Sequence, residues 1–221
     1  MIEARADDIL NAQASPRVFI THLPPFILSK SKKLFDGKHK IIYIIRNPKD
    51  VAVSYYTQTY NFRSLYGYDG KWSGFLELFL NGMVDCGSWF DHVLMWEKYK
   101  EDHPEIPIHF VYYEDLKEDL MGEIRRLGNF LDENRDQSFY EQLCKRSVFP
   151  AMKKNHDNHA KKELKQLYRN GDLTMFRKGI IGDWKNVFTV SQLERLDAMF
   201  AHKMKDSKLS IRFEASKNQG R

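Results

Sequence analysis

The sequence predicts an α/β fold in which a parallel sheet is flanked by helices. Three observations point there. Ile41-Ile42-Tyr43-Ile44-Ile45 is continuous, β-branched and too short for a typical helix, the pattern of a strand buried on both faces. It runs straight into Arg46-Asn47-Pro48-Lys49-Asp50 and then an apolar stretch at helical spacing, so strand, short loop and helix form half of a βαβ unit. A further strand, Ile108-His109-Phe110-Val111-Tyr112-Tyr113, follows two helical stretches, and alternation of this kind favours parallel pairing.

The elements follow in order. Val18 to Thr21 is a short apolar stretch between Pro16 and Pro24, consistent with a strand. After Ile41–Ile45, Asn47 is a good N-cap, Pro48 suits the first helical position, and Asp50 complements the helix dipole. Trp72 to Leu80 and Ser88 to Tyr99 carry apolar residues at helical spacing, as do Leu116 to Leu131 and Gln137 to Cys144. Asn155 to Gly171 is polar and basic and reads as a mobile surface region. Val190 to Met204 is a last amphipathic helix, with Thr189 as its cap. With 221 residues, 42% hydrophobic and 14% aromatic, the chain can build one sizeable core, and residues 1–215 read as a single domain with 216–221 as a tail.

Composition narrows the function classes. No apolar run approaches the roughly 18 residues of a membrane span. The polar, acidic N-terminus carries no apolar leader core, which fits a cytoplasmic protein. Cys86 and Cys144 lie far apart, fit no metal-ligand spacing and read as free thiols, and the eight histidines give no ligand set, so no metal is expected. A net charge of +5 permits an anionic partner. The lysine clusters are not interleaved with stacking aromatics, so a small phosphorylated ligand is favoured over nucleic acid.

Three places carry candidate chemistry. Arg46 stands at the carboxyl end of a predicted strand, before a helix N-terminus, where open parallel sheets bind anions. Its guanidinium could grip a phosphate by two parallel hydrogen bonds, with Ser54 adding a hydroxyl; equally, Arg46 could pair with a carboxylate and Ser54 bond back to its helix. Arg177-Lys178-Gly179 with Gly182 places two cations beside two glycines, able to converge on one anion or to form an ordinary turn. His22 ends Thr21-His22, where an imidazole could serve as a base or simply be structural.

Taken together these stretches resemble the cytosolic sulfotransferase family. The resemblance rests on Ser15-Pro16-Arg17 through Thr21-His22-Leu23-Pro24, on Arg46 through Tyr56, on Tyr113-Glu114-Asp115-Leu116-Lys117, and on Arg177-Lys178-Gly179 with Gly182-Asp183-Trp184-Lys185, in the family's order and spacing. It implies a P-loop-NTPase-like sheet and transfer of a sulfuryl group from 3′-phosphoadenylyl sulfate to a hydroxyl or amine of a small phenolic, steroidal or alcohol acceptor. By position, His22 is the general base; Arg46 and Ser54 hold the donor's 3′-phosphate, with Arg177, Lys178 and Gly179 closing over it; Tyr113, Ser147 and Phe149 surround the adenine. The stretch from Lys185 to Glu194 resembles the family's dimer segment, which implies a homodimer. Acceptor choice is expected to lie in residues Thr57 to Tyr68 and Asn155 to Asp172.

The sequence departs from the family in two places. Ile20 stands where a lysine usually precedes the histidine by two residues. No Tyr-Pro-Lys-x-Gly-Thr-x-Trp-like loop, which in the family cradles the 5′-phosphosulfate, occurs in the 221 residues. The expectation is therefore a sheet lacking its first strand and that loop, in a fragment or a short isoform that is inactive or nearly so. The alternative is a non-catalytic binder of 3′-phosphoadenosine nucleotides, or a dimerisation partner of a full-length relative. A nucleotide kinase is disfavoured because no Gly-x-x-x-x-Gly-Lys-Ser/Thr loop is present.

Overall fold

The structure is a computed structural model and describes residues 14, 16–30, 39–159, 165–169 and 176–216. A short helix α1 (Pro25–Leu28) is followed by strand β1 (Ile41–Ile45), helices α2 (Pro48–Asn61), α3 (Arg63–Tyr66), α4 (Trp72–Leu80) and α5 (Trp89–Asp102), and strand β2 (Ile108–Tyr112). Then come α6 (Tyr113–Glu118), α7 (Leu120–Phe130), α8 (Gln137–Ser147), α9 (Phe149–His159), a 3-10 turn (Asp183–Asn186) and α10 (Val190–Lys203). Among the described residues the sheet is two-stranded and parallel, running Ile41 beside Ile108 to Ile45 beside Tyr112. That register sets Arg46 and Tyr113 side by side, one residue beyond the paired carboxyl ends.

The β1–α2 junction forms as its residues dictate. The Asn47 side chain accepts the Asp50 N–H at 2.9 Å, closing the first turn of α2, and Pro48 fills a position that needs no donor. Thr189 and Gln192 form a full capping box at the start of α10. The main core joins α2 (Ala52, Val53), α4 (Phe75, Leu76, Phe79, Leu80), Trp184 of the 3-10 turn with Phe188 just after it, and α10 (Leu196). Full burial of one such side chain contributes about 1.5–3 kcal/mol, so this cluster is what fixes the 177–188 segment against α2. Two smaller clusters seat α1 and α5 against β2, through Leu28, Trp96 and Ile108, and α5 against α10, through Phe90, Val93 and Met204.

Several sequence-based boundaries are corrected. Val18 to Thr21 is not a strand: it has no ladder partner among the described residues, and Val18 and Ile20 are 84% and 74% exposed. Tyr113 opens α6 instead of ending β2. The stretch Leu116 to Leu131 is two helices, because Asp119 leaves helical geometry and caps α7 through the Gly122 N–H. Within Asn155 to Gly171, residues 155–159 continue helix α9 and 165–169 are docked, while the remainder lies outside the described residues. The 216–221 tail lies outside them beyond Ser216, whose N–H donates to Glu118 at 2.7 Å. Ile42 and Ile44 are 40% and 62% exposed, so β1 is covered on one face only, against the expectation of burial on both. No helix among the described residues is long and apolar enough to cross a membrane.

Candidate active site

Arg46 leaves β1 with its guanidinium carbon 4.2 Å from the centre of the Tyr113 ring, a stacking contact that the strand register makes inevitable. Its Nη2 donates to the Ile180 carbonyl at 2.9 Å, while Asp50 stands 3.7 Å away. The buried Nε has no hydrogen-bond partner among the described residues. The Arg46 fork therefore keeps donors for a ligand while one of its nitrogens ties it to the segment that carries Arg177.

That tie is reinforced by a buried polar network. Asp50, 1% exposed, accepts the Gly182 N–H at 2.8 Å through Oδ2 and the Trp184 N–H at 3.1 Å through Oδ1. Asn47 donates from its main chain and its amide to the Glu114 carboxylate, at 3.1 and 2.9 Å. Asp50→Ala leaves two inward N–H groups, of Gly182 and Trp184, without acceptors, each costing about 1–3 kcal/mol. A loss of about 3 kcal/mol in urea unfolding is expected, and a loss below about 1 kcal/mol would show that water replaces the carboxylate.

Arg177 and Lys178 share one carboxylate, Asp183, at 2.5 and 2.6 Å. Burial pushes Asp183 up, but hydrogen bonds from Lys178, Asn186 and Arg177 and the Arg177 charge outweigh it and hold the carboxyl at about 2. The two cations are thus held beside the cavity by an internal anion. Gly179 has φ of +66°, and a Cβ there would lie 2.6 Å from Phe149 Cγ, inside the ring's own volume. Only glycine lets the main chain lie flat on this ring. Phe149 also meets Phe176 at 5.7 Å, and the Lys117 ammonium stands 5.8 Å from the ring centre. Burial, then the Arg46 charge, pushes Lys117 below the usual lysine range.

These groups face one cavity of about 900 Å³, lined by Arg46, Ser54, Tyr113, Ser147, Phe149, Arg177, Lys178 and Gly179 together with Leu120, Ile124, Leu127, Phe139 and Leu143 of α7 and α8. Eight of the nine residues singled out in the sequence come together here. His22 does not line it; it sits exposed in the irregular segment before α1, with its carbonyl 3.1 Å from His92 Nε2. The two segments expected to govern acceptor choice touch: Tyr168 stacks on Phe62 at 4.4 Å, and Arg169 donates to the Tyr60 carbonyl at 2.7 Å. Tyr60, Tyr66 and Tyr68 pack against Tyr55 and Tyr56 of α2 and Phe75 of α4, so these aromatics are covered by neighbouring helices.

The sequence did not single out Lys117, Asp183, Glu114 or His92 as site residues. Glu114 and Asp183 are nearly fully buried carboxylates, a property that spacing along a chain does not reveal.

The family profile described as the sulfotransferase domain matches residues 4–208. The chain belongs to the sulfotransferase family. Mouse sulfotransferase 1B1 is 39% identical over 204 residues, covering 92% of this chain and 66% of that protein. The structure of mouse sulfotransferase SULT7A1 complexed with PAP superposes with a TM-score of 0.73 at 34% identity, over 90% of this chain and 69% of that one. Retinol dehydratase in complex with androsterone and inactive cofactor PAP gives 0.73 at 25% identity, over 92% and 58%. The chain thus spans about two thirds or less of these proteins. Cys86 and Cys144 form no disulfide, and among the described residues no group of three or more His, Cys, Asp or Glu is placed to hold a metal.

Proposed function

We propose that this sulfotransferase chain binds the 3′-phosphoadenosine end of 3′-phosphoadenylyl sulfate in the cavity at Arg46, and that it serves sulfuryl transfer to a hydroxyl or amine of a small acceptor with His22 as general base. One observation carries the reading: Arg46 and Arg177, 131 residues apart in sequence, line one cavity with Ser54 beside them. Two guanidinium groups, an ammonium and a hydroxyl around one space suit a dianionic phosphate, and Phe149 and Tyr113 offer ring faces to a purine.

In the proposed reaction His22 takes the proton of the acceptor hydroxyl as its oxygen attacks sulfur, and the bond from sulfur to the 5′-phosphate oxygen breaks, releasing adenosine 3′,5′-bisphosphate. Such transfer depends on in-line placement and on stabilising oxygen charge. Anchoring the remote 3′-phosphate positions the reacting end without touching it. We propose further that groups for the 5′-phosphosulfate are not supplied by these residues, since their sequence holds no Tyr-Pro-Lys-x-Gly-Thr motif. That absence is what favours the second reading, a nucleotide binder without turnover.

The androsterone bound to retinol dehydratase supports an apolar, hydroxylated acceptor for this chain too. A cytosolic setting accords with the family reading. A homodimer through Lys185 to Glu194 accords with Val190, 74% exposed on the capped start of α10. Light scattering at micromolar concentration is expected to give a dimer, and a clean monomer would remove that assignment.

The test of function has two arms. The chain alone is expected to bind adenosine 3′,5′-bisphosphate with little transfer; fused to a family-like phosphosulfate unit, it is expected to sulfate phenols or steroids. In the fusion His22→Ala should lower turnover about 100- to 10,000-fold with nucleotide affinity intact. Undiminished turnover would remove His22 from the base role.

A further inference from the structure

His22 lies on a segment with no ladder partner among the described residues, yet a general base must be held within hydrogen-bond reach of the proton it removes. Among the contacts of that segment are a local turn and a bond to a distant helix. The Leu23 N–H donates to Thr21 Oγ1 at 3.1 Å, a local turn, and the His22 carbonyl meets Nε2 of His92, on α5, at 3.1 Å. The second bridges 70 residues, beside the packing of Leu23 against the cluster of Leu28, Trp96 and Ile108.

The chemistry of that contact fixes the tautomer. A carbonyl only accepts, so His92 Nε2 must carry the proton. In the neutral ring Nδ1 is then an acceptor, and it faces the Tyr43 hydroxyl of β1 at 2.8 Å. Tyr43 is itself clamped by stacking on Trp96 at 5.2 Å and lies 5.7 Å from the His92 ring. Burial pushes the Tyr43 hydroxyl well above the usual tyrosine range, keeping it a donor, and burial pushes His92 down, keeping the imidazole neutral. Both nitrogens of His92 are spoken for, so it is not a second base.

We propose that Tyr43 and His92 form a positioning relay, Tyr43 O–H to His92 Nδ1 and His92 Nε2–H to the His22 carbonyl, which ties the base-bearing segment to the sheet. The inference rests on the assignment of His22 as base for its purpose, though the relay itself exists with or without it. A relay of this kind matters because a displacement of about 1 Å at a reacting group costs on the order of 100-fold in rate.

The test uses the 221-residue chain and does not depend on turnover. Nitrogen-15 spectra of imidazole-labelled protein at neutral pH are expected to show His92 protonated on Nε2 and unprotonated on Nδ1. His92→Leu should speed amide hydrogen exchange at His22 and Leu23 at least tenfold. His92→Gln, whose amide offers both an acceptor and a donor, should restore at least half of that protection on a logarithmic scale. Tyr43→Phe should shift the His92 Nδ1 resonance while far-ultraviolet circular dichroism stays unchanged. A His92 proton on Nδ1, or exchange in His92→Leu equal to the parent, would overturn the relay. His22→Ala separates this from the functional reading: it removes the base but should leave the His92 tautomer as it was.

Discussion

Replacing Arg46 with alanine is expected to weaken binding of adenosine 3′,5′-bisphosphate about 100-fold, measured by isothermal titration calorimetry. A guanidinium fork on a phosphate makes two charge-assisted hydrogen bonds, each worth about 1.5–3 kcal/mol. Competition from water takes part of this, leaving about 3 kcal/mol, or a factor of about 100. Arg46 also donates to the Ile180 carbonyl, so its loss loosens the segment that brings Arg177 and Lys178 to the cavity. Arg46→Lys keeps the charge without the fork and should recover only part of the affinity. An unchanged dissociation constant in Arg46→Ala would remove this residue from the phosphate site.

Gly179→Ala should be nearly as damaging for a different reason. At φ of +66° any side chain is strained, at a cost of about 1–2 kcal/mol. Beyond strain, the new methyl would overlap the Phe149 ring, so either the ring leaves its place or the main chain of 177–180 lifts off it. Both movements take apart the surface that would meet a purine. Nucleotide affinity is expected to fall at least tenfold, along with a loss of thermal stability. Gly87→Ala supplies the control: its φ of +74° brings the same strain, but nothing lies within 4 Å of its added Cβ. It should lower stability modestly and leave affinity alone. If Gly179→Ala binds as the parent does, Phe149 is not part of the site.

Much of this site was legible along the chain because its signals are local. The β1–α2 junction announces itself: five β-branched or aromatic residues, then an asparagine cap, a proline and an acidic residue. The 177–179 stretch at the cavity is legible as paired cations beside glycine. What was not legible depends on distance along the chain. Asp50 reads as a dipole complement for α2, but its carboxylate accepts N–H groups from Gly182 and Trp184, 132 and 134 residues away. Asp183 reads as part of a motif, whereas in the fold it is the counter-ion of both Arg177 and Lys178. Val18 to Thr21 has the composition of a strand, and composition cannot tell whether a neighbour exists to pair with it. The same holds for β1, whose apolar run gives no sign that Ile42 and Ile44 stand exposed.

The convergence of Arg46 and Arg177 on one phosphate is tested most directly by comparing two nucleotides on the unaltered chain. If the 3′-phosphate is the group they grip, adenosine 3′,5′-bisphosphate will bind at least 100-fold more tightly than adenosine 5′-phosphate, and the gap will close in Arg46→Ala. Equal affinity for the two nucleotides would contradict it.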